Sequence, residues 1–160
     1  MLYVMAGPPG AGKSTVADLL GPRINAPVLA VDTVDRALQA MGVTQSRPGV
    51  TAYVVVEAIA EDHLRRGQDV VVDAVNAVEA ARRQWTALSE RTGVPLRFVE
   101  VVCSDEAAHR SRVETRHAAE PWKPDWDAVR TRRRDPWTVR RDVFDSAALT
   151  AEMIVGRLVA

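Results

Sequence analysis

The sequence predicts an α/β fold, a parallel sheet with helices on both faces. Three features carry this: short apolar runs such as LYVMA (2–6), VVV (70–72) and VEVV (99–102), helical periodicity between them, and glycine or proline at the joints. Strands covered on both faces read as continuous apolar runs, and strands that alternate with helices pair in parallel.

Residues 2–6 make the first strand. The pattern turns helical at Lys13, and Gly21 with Pro22 is expected to stop that helix. APVLAVD makes a second strand ending at Asp32, and TVDRALQAMG a helix with Asp32 or Thr33 near its cap. A loop follows over Gly42 to Gly49. A helix from about Val50 to Arg66 stops at Gly67, and QDVVVDAVN is a third strand with Asp73 at its acidic end. The segment 77–93 is a helix closed by Gly93, PLRFVEVVC a fourth strand, and DEAAHRSRVETRHAA an arginine-rich helix. Glu120 to Trp137 holds three prolines and three tryptophans, with WDAVRTRRR a short helix at most; it reads as a mobile flap. RDVFDSAA gives a fifth short strand and TAEMIVGRLVA the closing helix.

A chain of 160 residues is about one domain. Lys plus Arg and Asp plus Glu each number 21, which argues against life on a nucleic-acid backbone but leaves a local basic patch open. No run reaches the roughly 20 apolar residues that span a bilayer, so no membrane role is expected. The apolar start is too short for a secretory signal and runs straight into a glycine loop. Cys103 stands alone in FVEVVC, which predicts a buried thiol, no internal disulfide and a cytoplasmic setting. No obligate protein partner is evident.

The loop is GPPGAGKS, residues 7–14. Gly7, four residues, Gly12, Lys13 and Ser14 fit a phosphate-binding loop, and the match lies between an expected strand and an expected helix. Gly7, Gly10, Ala11 and Gly12 would turn backbone N–H groups toward phosphates at a helix N-terminus. Lys13 would reach the β and γ phosphates, Ser14 would meet Mg²⁺ and Thr15 the α-phosphate. Such loops serve motors, guanine-nucleotide switches and kinases. The chain has no Asn-Lys-x-Asp motif for reading guanine, and Asp73 is followed by Ala74 where a motor ATPase carries a glutamate.

LAVDTVDRAL (29–38) turns the reading toward kinases. Together with VVVDAVN, HRSRVETRH and VFDSA it resembles the small P-loop kinases, the branch of chloramphenicol phosphotransferase, gluconate and shikimate kinases, polynucleotide kinase and zeta-type toxins. The resemblance implies a three-layer P-loop NTPase sandwich of five parallel strands in the order 2-3-1-4-5, with a lid at about residues 117–137. It also implies ATP as donor, with GTP left open, Mg²⁺, and a hydroxyl acceptor facing Asp32. A sugar, nucleoside or antibiotic would fit, and self-protection against an antibiotic is one role it suggests.

In phosphoryl transfer the protein mainly positions groups and stabilises charge. Asp32 is placed to orient the acceptor hydroxyl or take its proton, with helix capping as the alternative. Arg36 is a candidate for holding a polar or anionic substrate. Asp73 is expected to bind Mg²⁺ through water or to fix the acceptor, and Asn76 to contact substrate. Arg112 and Arg116 share one helical face and can close over nucleotide and transferred phosphoryl group. His109 and His117 have no metal-ligand spacing and receive no role. Trp122, Trp126 and Trp137 either cover the acceptor or anchor the flap. Arg130 with Arg132 to Arg134 can grip a polyanion, which makes a polynucleotide 5′-hydroxyl kinase the enzymatic rival. A nucleotide-dependent regulatory module is the rival of another class.

Overall fold

A computed structural model describes residues 1–43 and 49–160 of the chain. The strands are β1 (Leu2–Ala6), β2 (Val28–Ala30), β3 (Val70–Asp73), β4 (Leu96–Val102) and β5 (Asp142–Asp145). The helices are α1 (Lys13–Arg23), α2 (Val31–Ala40), α3 (Val50–Arg65), α4 (Glu79–Thr92), α5 (Glu106–Ala119), α6 (Trp126–Thr131) and α7 (Ala151–Val159). The sheet is parallel throughout, in the order β2-β3-β1-β4-β5. This is the three-layer order that the resemblance implies.

Side chains alternate across a strand, and the core follows that period of two. On β1, Leu2 and Val4 enter one apolar cluster with Val56 and Leu64 of α3 and Trp85 and Leu88 of α4. Tyr3 and Met5 enter a second, with Val16 and Leu20 of α1 and Ile154 and Leu158 of α7. On β3, Val70 and Val72 face the first cluster and Val71 the second. Each such buried side chain contributes about 1.5–3 kcal/mol, and the symmetry of the two faces explains why the strands read as unbroken apolar runs.

The chain leaves β1 for β2, returns to β3 beside β1, then crosses to β4 on the other side of β1. The reversal opens a crevice at the carboxyl end of β1, where open α/β sheets receive ligands. The phosphate loop, Asp32 and Asp73 all stand at that end.

Several boundaries depart from expectation. Helix α1 continues through Gly21 and Pro22 to Arg23, because a proline in the last turn forfeits a single bond. Gly21 serves the chain's return instead: a Cβ there would lie 2.4 Å from Val28 Cγ2 and 3.0 Å from Ala26 O. Strand β2 is only three residues long, so Asp32 stands in the first turn of α2, whose N-cap is Ala30 without a side-chain cap bond. Cys103 lies just past β4 and is half-buried; its thiol donates to Asp105 O at 3.4 Å. The loop expected at 42–49 falls largely on residues 44–48, outside the described residues.

Candidate active site

Gly7 leaves β1 at φ 124°, and a Cβ there would lie 2.0 Å from Val101 O, so only glycine passes. At Gly10 (φ 81°) a Cβ would strike Val113 Cγ2 at 2.5 Å, because α5 packs directly on the loop. His109, given no role from sequence, secures that packing: its Nε2 pairs with Pro9 O at 2.8 Å and its ring stands edge-on to Trp126 at 5.2 Å. Two of the expected phosphate donors are engaged inside the loop. Gly7 N–H donates to Val75 O at 3.1 Å and Ala11 N–H to Pro8 O at 3.2 Å, so both bonds help to shape the loop.

Gly10, Gly12, Lys13, Ser14 and Thr15 line a cavity of about 550 Å³ together with Arg112, Arg116 and the segment 146–151. Its size suits a nucleotide. Arg112 reaches across to Ser146 Oγ at 3.0 Å, with Cys103 Sγ at 3.8 Å from the same nitrogen. The far wall, Ser146 to Ala151, was not singled out from sequence. It offers small side chains and backbone, which leave no chemical signature. Asp145 organises it by accepting from Ser104 and from Ala147 N–H at 2.9 Å, and the Ser104 contacts hold its carboxyl below the usual range.

Behind this cavity lies a smaller one of about 60 Å³, lined by Lys13, Ser14, Asp32, Asp73, Arg116 and Arg132 together with Pro9, Ala74, Val75 and Pro124. Asp32 and Asp73 therefore share one cleft with the loop lysine. Arg116 borders both cavities and lies 3.8 Å from Asp32. Lys13 is 6% exposed and donates to Pro8 O at 3.0 Å. Burial lowers its pKa from 10.5 to about 8; the Asp73 and Asp32 carboxylates pull the other way, and Arg116 and Arg132 add to the lowering. Tyr53 lies near this group, its hydroxyl accepting from Asn76 N–H at 3.3 Å and its pKa raised by burial.

Asn76, expected to contact substrate, has its side chain turned into the protein. It is 1% exposed in a left-handed conformation (φ 49°), where its amide donates to Met5 O at 2.7 Å and accepts from Trp85 Nε1 at 2.8 Å. Beside it Arg82, hidden in the run EAARRQ, is 1% exposed and gathers the carbonyls of Asn76, Ala77, Asp135 and Pro136 with the carboxylate of Glu79. Its guanidinium also lies 4.4 Å from the Trp137 ring.

The tryptophans divide. Trp137 anchors the flap to the body, edge-on to Phe98 at 5.4 Å and donating to Glu100 at 3.1 Å. Trp126 packs on His109. Trp122, 48% exposed, lies between Arg36 at 5.3 Å and Lys123 at 4.8 Å, so Arg36 meets the flap and does not line the cleft. The arginine run also divides: Arg130 pairs with Asp127 and Arg133 with Asp135, while Arg132, which no sequence signal separated from its neighbours, enters the cleft.

Sheet order and phosphate loop together define a P-loop nucleotide-binding domain with the architecture of the small P-loop kinases. Residues 2–146 match the family AAA_33, described as an AAA domain, and the chain belongs to that family. A candidate kinase from Chloroflexus aurantiacus is 20% identical, with 99% of this chain and 93% of that one covered and a TM-score of 0.80. A gluconokinase from Sinorhizobium meliloti is 21% identical, with coverage of 98% and 91% and a TM-score of 0.63. The APS kinase of Mycobacterium tuberculosis, solved with AMPPNP and APS, is 16% identical, with coverage of 99% and 97% and a TM-score of 0.69. At these identities the likeness establishes the fold. No curated protein matches the chain in sequence.

Proposed function

We propose that the chain is an ATP- and Mg²⁺-dependent phosphotransferase that moves the γ-phosphoryl group to a hydroxyl of a small molecule. One observation carries this: Asp32 and Asp73 stand in a cavity that shares Lys13, Ser14 and Arg116 with the nucleotide-sized cavity beside it. A hydrolytic switch needs room for one water beyond the phosphates; here the space beyond them carries the Asp32 carboxylate, 3.8 Å from the shared Arg116, and a second arginine, Arg132. GTP is the alternative donor.

Lys13, Ser14 and Thr15 would bind the phosphate chain and Arg112 would close the nucleotide side. Ser14 and Asp73 supply hard oxygen donors in one cleft. No cluster of three or more His, Cys, Asp or Glu suited to a metal occurs among the described residues, which fits an ion held partly by phosphate and water. Bound there, Mg²⁺ would neutralise charge on the β and γ oxygens. Asp32 would orient the acceptor hydroxyl; its oxygen bonds to the γ-phosphorus as the bond to the β–γ bridging oxygen breaks. ADP leaves with that electron pair, and the hydroxyl proton passes to Asp32 or solvent. Arg116, at the junction, would stabilise the transferred group. Closure of residues 117–137 would exclude water.

The test is transfer of label from γ-labelled ATP to sugars, nucleosides, phenicol-type antibiotics and a 5′-hydroxyl oligonucleotide. Asp32→Asn should retain ATP binding and lose about a hundredfold or more of transfer, and Lys13→Ala should lose both. Transfer that survives Asp32→Asn, or label that reaches no acceptor, would sink the reading. Label on the oligonucleotide alone would favour the polynucleotide kinase.

A further inference from the structure

We infer that His109 is a positioning residue for the donor nucleotide: by holding Pro9 O it sets the peptide that presents Gly10 N–H to the phosphate chain. The inference rests on the phosphotransferase reading and deepens it. Residues 8–11 make a tight turn, closed by Ala11 N–H donating to Pro8 O at 3.2 Å, with Pro9 and Gly10 at its centre and Gly10 at φ 81°. Proline followed by a residue at positive φ is the type II arrangement. A type I turn closes with the same bond but has its central peptide turned over, and proline in the first central place suits both. Glycine takes either sign of φ, so the sequence PPGA leaves the choice open.

Helix α5 makes the choice. In a planar trans peptide the C=O and N–H point in opposite directions, so whatever fixes Pro9 O also aims Gly10 N–H. His109 Nε2 lies 2.8 Å from Pro9 O, and because a carbonyl only accepts, that nitrogen carries the proton. The imidazole has little freedom: it is 7% exposed, stands edge-on to Trp126 at 5.2 Å, and comes within 3.4 Å of where a Gly10 Cβ would lie. Among the described residues no other side chain from outside the loop bonds to residues 7–14. Gly10 lines the nucleotide-sized cavity, and among the described residues its N–H has no hydrogen-bond partner. A backbone donor left unpaired at a phosphate-sized opening is suited to an anion. Without the imidazole donor the central peptide would be free to turn over. That would bring the Pro9 carbonyl oxygen toward the phosphates, where it repels them, and take Gly10 N–H away.

The test titrates Mg·AMPPNP into the full chain and follows the Gly10 amide proton by nitrogen–proton correlation NMR. In the wild type that proton should move downfield as the nucleotide binds, the signature of a new hydrogen bond. His109→Phe keeps a ring against Trp126 but has no donor; it should bind Mg·AMPPNP about fivefold more weakly or worse and lose the Gly10 shift. His109→Gln, whose amide N–H can reach the place of Nε2, should recover most of both. If the larger ring disturbs α5, His109→Met replaces it, being close to glutamine in shape and without a donor. A donorless variant with wild-type affinity and a wild-type Gly10 shift overturns the inference. So does a glutamine variant that behaves like the donorless one, because the ring and not its N–H would then matter. A Gly10 proton that does not respond in a wild type that binds the nucleotide overturns it as well, and leaves the phosphotransferase reading standing. Failure of the wild type to bind Mg·AMPPNP removes both.

Discussion

Lys13 stands where its own charge is disfavoured. It is almost fully buried under the loop, and its pKa falls from 10.5 to about 8. Below pH 8 the lysine is protonated in both folded and unfolded chains, and the folded state carries the whole desolvation penalty. Between pH 8 and 10.5 the unfolded chain holds more protons, so this residue's contribution to stability rises with pH. The shift corresponds to about 3 kcal/mol, and phosphate binding would offset it by giving the ammonium a counter-charge. Lys13→Met should therefore be more stable than the ligand-free wild type at pH 7, by up to about 3 kcal/mol. The difference should shrink as pH climbs from 8 toward 10.5. Urea unfolding across that range measures it, and a variant less stable at pH 7 would show that lost packing outweighs the buried charge.

Among the elements, the turn between β3 and α4 depends on Arg82. Four carbonyls, one carboxylate and an indole face meet its guanidinium, and two of those carbonyls belong to Asp135 and Pro136 of the flap. Arg82→Leu should lose at least about 3 kcal/mol, because the carbonyls left behind are half-buried or buried. Arg82→Lys should recover only part, since an ammonium cannot reproduce the planar fork. Urea unfolding showing a loss under about 1 kcal/mol for Arg82→Leu would refute that role. This node also marks the limit of what a sequence discloses. The phosphate loop, the five strands and Gly93 as a helix stop were legible, because they follow from local spacing and periodicity. Arg82 looks like any solvated helix charge until residues 135–136 arrive from far along the chain. The inward bonds of Asn76 were hidden in the same way, since Met5 O lies far along the chain and Trp85 on the next helix. Pro22 misled in the opposite sense, since a helix breaker is tolerated where little helix remains to break. Arg132 was visible only as part of a charge run, and that it is the member that borders the cleft with Asp32 and Asp73 follows from residues far apart in the chain.

For the whole molecule, the two ends of the flap are joined to the body by different contacts. Its C-terminal part is joined to the body: Asp135 N–H donates to Ala77 O at 2.9 Å, Asp135 accepts from Glu79 N–H at 3.0 Å, and Trp137 is packed on Phe98. Its N-terminal part meets α2 where the half-exposed Trp122 stacks on Arg36, and lines the cleft with Pro124 and Arg132. Toward α2 this part is held by a single charged stack at the surface, Arg36 on Trp122, on the order of 1 kcal/mol, and toward α5 by Trp126 edge-on to His109, so ligands in the cleft are expected to shift its position. Hydrogen exchange should show that division. Asp135 N–H is expected to be protected in the ligand-free protein, and residues 120–134 should gain protection only when Mg·AMPPNP and an acceptor fill the two cavities together. If residues 120–134 were already as protected as Asp135 without ligand, the flap would be a fixed wall, and access to Asp32 and Arg132 would have to open elsewhere. If protection appeared with nucleotide alone, closure would belong to the donor half, and Arg116, which borders both cavities, would be the residue that transmits it.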